Sequence, residues 1–244
     1  MLRVLGIVTA RGGSKGIPRK NTALLAGRPL LAYTADAALA AQRLTRTVLS
    51  TDDDEIAAVG RACGLEVPFM RPAELARDDT PTLPVLQDVV RRLEAVGEQY
   101  DAICLLQPTA PLRKAADIDA CIELLESADV DSVMTVLPVP EKFNPHWVYF
   151  CRDNNELYLS TGESQPIPRR QSLPPAFCRE GSVYVMRRDV LMVGDSVYGQ
   201  RVRGLMVDPA TTVNIDAPAD IARAEQLLRQ NLADATATPS SRDL

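Results

Sequence analysis

Val4-Leu5-Gly6-Ile7-Val8-Thr9-Ala10, running without a break into Arg11-Gly12-Gly13-Ser14-Lys15-Gly16-Ile17-Pro18-Arg19-Lys20-Asn21, is the stretch on which the reading of this chain turns. The apolar run Val4 to Val8 is short and β-branched, as a strand buried on both faces is. It opens into a loop with three glycines, a serine and four cations, Arg11, Lys15, Arg19 and Lys20. Glycines let a backbone approach a ligand closely, and successive N–H groups in such a turn form a concavity for anions. The cations add formal charge, so a polyphosphate is the natural guest. A solvated connecting loop would share this composition, and the loop alone does not separate the two. It matches neither the G-x-x-x-x-G-K-[ST] phosphate loop nor the dinucleotide fingerprint G-x-G-x-x-G.

Outward from the loop, strand and helix patterns alternate. Pro29 opens a helical run from Leu30 to Ala40, Pro being tolerated in a first turn. Arg46 to Thr51 reads as a strand, and Asp52-Asp53-Asp54 then sit at or near the start of a helix over Glu55 to Ala62, which Gly64 ends. Glu66 to Met70 reads as a strand, Thr82 to Val96 as an amphipathic helix, and Asp101 to Leu106 as a buried strand. A helix from about Ala116 to Ser127 and a strand over Asp131 to Leu137 follow. This alternation predicts an α/β fold with a doubly wound, mostly parallel sheet, Rossmann-like in its winding. Ligands of such sheets bind beyond the carboxyl ends of the strands, where the basic loop, Ser50-Thr51-Asp52 and Gln107-Pro108-Thr109 would share one cleft.

From Pro138 the rhythm breaks. Seven prolines between Pro138 and Pro175 interrupt short strand-like pieces at Trp147 to Phe150 and Glu156 to Leu159. The segment from about 138 to 176 therefore reads as an inserted arm, a lid or a dimerisation element, within a single domain over 1–232. Strand character returns at Ser182 to Arg187 and Val202 to Val207. A last helix runs from Pro218 to about Asn231, and residues 233–244, small and polar, read as a disordered tail.

Composition narrows the class. The 244 residues carry a net charge of −5 and 46% hydrophobic residues, ordinary for a globular chain with a sizeable core. Basic residues are concentrated locally on an acidic protein, which favours a small anionic ligand over nucleic acid. No apolar run is long enough to span a membrane, and the N-terminus lacks the architecture of a signal peptide. Five scattered cysteines with no C-x-x-C pair favour reduced thiols in the cytoplasm over disulfides or zinc. His146, the single histidine, has no recognisable partner and reads as packing.

Five stretches in order resemble the CMP-sialic acid synthetases, the acylneuraminate cytidylyltransferase family. R-x-x-S-K-G-x-x-x-K-N is met by Arg11, Ser14, Lys15, Gly16, Lys20 and Asn21. S-T-D is met by Ser50-Thr51-Asp52, R-P-x-x-L-A-x-D by Arg71 to Asp78, and L-L-Q-P-T-[SA]-P-L-R by Leu105 to Arg113. Asn214 to Asp220 is similar to D-I-D-T-P-E-D. Lys15 and Asn21 set the chain apart from CMP-Kdo synthetases, whose first loop reads like G-S-x-R-L-P-G-K-P.

The resemblance implies transfer of CMP from CTP to the anomeric hydroxyl of a nonulosonic sugar acid, with release of pyrophosphate. It implies that Arg11, Lys15 and Lys20 hold the triphosphate and that Ser14 lines the loop. Asn21 and Arg71 would contact the nucleoside, Gln107 the sugar acid, and Arg170 the substrate carboxylate. Asp216 would hold Mg²⁺, with Asn214 as a second oxygen donor, and the arm would build a homodimer. Residue by residue, Asp216 could instead cap the last helix and Asp52 the second one. Three departures bear on the acceptor. Asn214 replaces the first aspartate of D-I-D. The family's F-R-P-N-G reads Phe177-Cys178-Arg179-Glu180-Gly181, with the arginine displaced by one and the asparagine replaced by an acid. Lys142 to Trp147 bears little likeness to the sialate pattern. These leave open a legionaminate- or pseudaminate-type acid, or a base other than cytosine. A nucleotidyltransferase for a different sugar acid or sugar phosphate, and a nucleotide-binding protein whose chemistry has lapsed, are the alternatives.

Overall fold

The computed structural model describes residues 1–13 and 16–237; Ser14, Lys15 and residues 238–244 lie outside it. Six strands build the central sheet: β1 (Val4–Thr9), β4 (Arg46–Ser50), β5 (Ala102–Leu106), β6 (Ser132–Pro138), β9 (Phe177–Arg187) and β10 (Val202–Met206). Their spatial order is β10-β6-β9-β5-β1-β4. β1 pairs in parallel with β4 and β5, and β10 with β6, while β9 runs antiparallel between β5 and β6. The expected mostly parallel sheet is therefore present, with one reversed strand in its middle.

Alternation of side chains across each strand sorts the core into two layers. Val4, Val8, Cys104, Leu106 and Val185 face α1 (Leu30–Ala40), α2 (Asp54–Ala62) and α4 (Ala115–Ser127). Leu5, Ile7, Ile103, Leu105 and Met186 face α3 (Thr82–Ala95) and α5 (Arg188–Met192). Helices on both faces are the doubly wound arrangement. A third cluster joins Ile17 and Leu30 to Val213, Ile215 and Ala224, so α6 (Pro218–Ala237) packs near the glycine loop.

Local differences from the sequence reading have local causes. The strand expected over Glu66 to Met70 shrinks to one bridge, Val48 with Glu66, because Pro68 has no N–H to extend the ladder. Asp53, not Asp52, caps α2, its carboxylate accepting from the Ile56 N–H at 2.9 Å. The last helix passes Asn231 and continues through residues 233–237, the first part of the expected tail; the remainder lies outside the described residues. β2 (Leu24–Leu25) and β3 (Arg28–Pro29) form a small ladder before α1.

Between β6 and β9 the chain leaves the main sheet. It forms three short helical turns and a separate hairpin, β7 (Tyr149–Cys151) with β8 (Leu157–Leu159), and returns where Pro138 pairs with Phe177. Asn144 donates to the Pro174 carbonyl at 2.9 Å and Trp147 to that of Ile167 at 2.7 Å, which tie this excursion to itself. His146 has a partner after all: its Nδ1 lies 2.8 Å from the Glu163 carboxylate, also in this excursion. No helix among the described residues is long and apolar enough to cross a membrane.

Because Asp53 satisfies an otherwise unpaired N–H at the start of α2, Asp53→Ala is expected to cost about 1 kcal/mol, or ~3 °C in melting temperature. Asp54→Ala, at an exposed position one residue on, is the control, and thermal unfolding of both variants checks the assignment.

Candidate active site

β1, β4 and β5 run in parallel, so the segments that follow them emerge at one edge of the sheet. There a cavity of about 390 Å³ is lined by Arg11, Gly16, Lys20, Asn21, Arg71, Arg77, Thr80, Gln107, Thr109 and Asp216, among others. Four cations thus face one carboxylate among its described walls, which a merely solvated loop would not produce. A concave, one-signed surface of this kind concentrates anions.

Each wall is held from behind. The Asp52 carboxylate accepts from the Gly12 N–H at 3.1 Å, and buried Asn21 donates its amide to the Arg11 carbonyl at 2.9 Å. Both residues shape the glycine loop, Asn21 from within the cavity wall. Buried Arg71 donates to the Ser50 hydroxyl at 3.0 Å and the Ser50 carbonyl at 2.7 Å. Burial pulls its pKa down to about 10, nearby Asp52 opposing, so it stays a cation at neutral pH. Ser50-Thr51-Asp52 therefore serves the cleft from its second row, while Gln107 and Thr109 line it directly.

Asp216 comes from the far end of the chain and is fixed by three contacts. Ile215 donates its N–H to the Thr109 carbonyl at 2.8 Å. The Lys20 ammonium reaches the Ile215 carbonyl at 2.9 Å and the Asp216 carboxylate at 3.3 Å. A Cβ on Gly16 would lie 2.6 Å from the Asp216 carbonyl oxygen, so only glycine permits this approach of the loop. The Asp216 carboxylate meets the Lys20 ammonium and accepts no N–H of the last helix among the described residues, while Asp220 accepts the N–H groups of Asp216 and Ala217 at 2.9 and 2.7 Å. That leaves the Asp216 side chain 74% exposed.

The four loop cations divide. Arg11 and Lys20 line the cavity, Arg11 forming an ion pair with Asp78 at 2.9 Å. Arg19 turns away to Asp53 and Glu55, at 3.1 and 2.6 Å. Ser14 and Lys15 lie outside the described residues. Arg170 is not brought to the cavity within one chain: it is 72% exposed and paired with Glu141 on the excursion between β6 and β9.

A second cavity, about 330 Å³, adjoins the first and shares Gln107 and Thr82 with it. Its other walls include Arg179, Glu180, Gly181, Tyr184, Tyr198 and Asn214. Asn214 and Asp216, expected at one metal, thus line different, adjoining cavities. The Arg179 guanidinium donates to the Tyr198 hydroxyl at 2.6 Å, and Tyr184 and Tyr198 meet edge to face at 6.2 Å. Arg77, Thr80 and Tyr198 escaped the sequence reading. Arg77 occupies an unspecified position of R-P-x-x-L-A-x-D, and nothing local marks Thr80 or Tyr198.

Arg113 stands behind both cavities. Buried, it donates to the carbonyls of Gln107 and Ser182 and to the Thr34 hydroxyl. Desolvation lowers its pKa to about 10, still protonated at neutral pH.

The chain can now be set beside known proteins. Residues 5–237 match the sequence profile of the cytidylyltransferase family. The chain is 32% identical to the CMP-N,N'-diacetyllegionaminic acid synthase of Legionella pneumophila over 233 residues, 94% of this chain and 98% of that protein. It is 30% identical to N-acylneuraminate cytidylyltransferase A of Danio rerio, over 91% of this chain and 50% of the fish protein. Among solved structures it resembles a CMP:2-keto-3-deoxy-manno-octonic acid synthetase complexed with CTP, with a TM-score of 0.71 and 18% identity, over 94% of this chain and 99% of that one. On the profile match and on two relatives at 30% identity or more, this chain belongs to the cytidylyltransferase family of nucleotidyltransferases.

Proposed function

We propose that the protein transfers CMP from CTP to the anomeric hydroxyl of a nonulosonic sugar acid and releases pyrophosphate. One observation carries the reading: a basic cavity and a mixed polar and aromatic cavity share Gln107 and Thr82, so a nucleotide in one meets an acceptor in the other. The names of the relatives, a legionaminic acid synthase and an acylneuraminate cytidylyltransferase, support an acid of this class. In the reaction the acceptor oxygen bonds to the α-phosphorus in line, the bond from that phosphorus to the bridging oxygen breaks, pyrophosphate leaves, and the proton of the hydroxyl passes to solvent. Such a transfer needs positioning and charge neutralisation more than covalent help. Arg11, Lys15 and Lys20 supply the charge, with Ser14 lining the same loop; Asn21 and Arg71 contact the nucleoside and Gln107 the acceptor.

Mg²⁺ fits the same site. Asp216 offers an exposed hard oxygen beside the cationic cavity, and Mg²⁺ is usually held by one or two carboxylates plus substrate phosphates and water. No group of three or more His, Cys, Asp or Glu suited to a metal occurs among the described residues, so its remaining ligands would come from phosphate and solvent. The ion would neutralise charge on the phosphate oxygens. Asn214, in the neighbouring cavity, fits the acceptor better than the metal.

The excursion over 138–176 is read as the arm of a homodimer. Phe143, Tyr149, Phe150, Leu157 and Tyr158 are each more than 40% exposed on it, an apolar surface that a second copy would cover. Arg170 would then meet the acceptor carboxylate across the interface. Five free thiols support a reducing, cytoplasmic setting.

The deciding assay is pyrophosphate release from CTP with Mg²⁺ over a panel of nonulosonic acids and Kdo, with mass spectrometry of the product. Release with a nonulosonic acid and formation of its CMP ester is the expected result. CTP binding without release for any acid would mark a lapsed enzyme instead. With the active pair in hand, Lys20→Ala is expected to lower kcat/KM for CTP ~30-fold, the worth of about 2 kcal/mol for one charged hydrogen bond. Arg19→Ala, whose cation faces Asp53 and Glu55, is expected to stay within roughly threefold of the parent, as exposed ion pairs contribute little.

A further inference from the structure

β9 carries an irregularity at the second cavity. Its pairing with β6 jumps from Met134 opposite Tyr184 to Val136 opposite Arg179, so Glu180 to Val183 bulge out against Thr135 alone. Successive residues of a regular strand point to opposite faces, but a bulge re-aims them. Here Arg179 and Glu180, adjacent in sequence, line the same cavity. Gly181 makes the turn with a φ of +102°, where a Cβ would also lie 3.2 Å from the Asn214 amide nitrogen.

Glu180 is only 7% exposed, yet no cation among the described residues is bonded to it. One carboxylate oxygen, Oε2, accepts the Ser182 N–H at 2.9 Å and the Ser182 hydroxyl. Oε1 has no hydrogen-bond partner among the described residues, and no side-chain oxygen that is fully buried lacks one. Oε1 is therefore not fully buried, and Glu180 lines two cavities, one of about 330 Å³ and a smaller one of about 170 Å³. A carboxylate pinned by one oxygen and open at the other is an acceptor waiting for a donor.

We infer that Glu180 is a specificity-determining residue for the acceptor: Oε1 takes a hydrogen bond from an N–H or O–H of the sugar acid bound in the second cavity. This deepens the proposed function and rests on it. An acid entering this cavity cannot bring its own carboxylate against Glu180, because like charges repel strongly away from bulk water. The opposite pole is Arg179, held at its Tyr198 hydrogen bond. Glu180 thus fixes both which group the acceptor presents and which way round the acid lies. An amide in its place could also donate a hydrogen bond and would lose the repulsion, so the acid at this position alters selection instead of merely filling space.

The test compares the wild-type enzyme with Glu180→Gln and Ser182→Ala, using CTP, Mg²⁺ and the acid that the wild type turns over best. The expected result for Glu180→Gln is a KM for the acid raised about tenfold or more with the KM for CTP within twofold. Ser182→Ala, which keeps the carboxylate and its bond from the residue-182 N–H but removes the bond from the hydroxyl, should give a smaller change in the same direction. Acceptor KM values within twofold of wild type in both variants overturn the inference and leave the proposed function standing. Parallel loss on both substrates with a lowered melting temperature also overturns it, by making Glu180 a structural residue only. If Glu180→Gln does not fold, Ser182→Ala alone decides by the same KM split. A wild-type enzyme that releases pyrophosphate with no acid removes the proposed function itself, and this inference with it.

Discussion

The buried guanidinium of Arg113 is the constraint on which the two cavities depend. It sits where the loop after β5, the bulge of β9 and helix α1 converge, and it gives each of them a hydrogen bond. A buried cation with no carboxylate bonded to it among the described residues is costly unless its donors are matched, and here two carbonyls and a hydroxyl accept from it. A lysine could not replace it, because a point charge on a flexible stem lacks the planar fork that reaches three elements at once. By holding the Gln107 carbonyl it sets one of the two residues common to both cavities. By holding the Ser182 carbonyl it sets the turn that presents Glu180.

Topology supplies the rest. Parallel β1, β4 and β5 deliver their following loops to one edge, which is where ligands bind in open α/β sheets. The reversed strand β9, inserted between β5 and β6, brings a bulge to that same edge from the opposite direction. The chain's late segment closes the ring, Ile215 bonding to Thr109 and Lys20 reaching back to Ile215 and Asp216. Residues almost two hundred positions apart thereby share one wall, and the backbone contact at Gly16 explains why the loop needs a glycine there as well as charge.

Much of this was legible in the sequence because it is written in local pattern. The buried strands announce themselves as short apolar runs, the helices by their spacing, and the cleft by which motifs follow strand ends. What was not legible depends on choices that local chemistry leaves degenerate. Three consecutive aspartates after β4 offer the same cap, and only the fold gives it to Asp53 and leaves Asp52 for Gly12. Arg19 and Lys20 are equivalent as charges, and a left-handed backbone at Arg19, φ 50°, accompanies the turn that separates them. Asp216 and Asn214 look like a ligand pair until their segment is seen to divide them between cavities. Tyr198 reaches Arg179 only through tertiary packing, which no periodicity records.

On the proposed reaction, CTP and the sugar acid occupy the two cavities that share Gln107 and Thr82. A crystal structure of the protein soaked with CTP and Mg²⁺ addresses it directly. Triphosphate density is expected against Arg11 and Lys20, the nucleoside beside Asn21 and Arg71, and the α-phosphate turned toward Gln107, with the cavity of Arg179 and Glu180 left free for the acid. Nucleotide density in that second cavity, or anywhere away from the glycine loop, would contradict it.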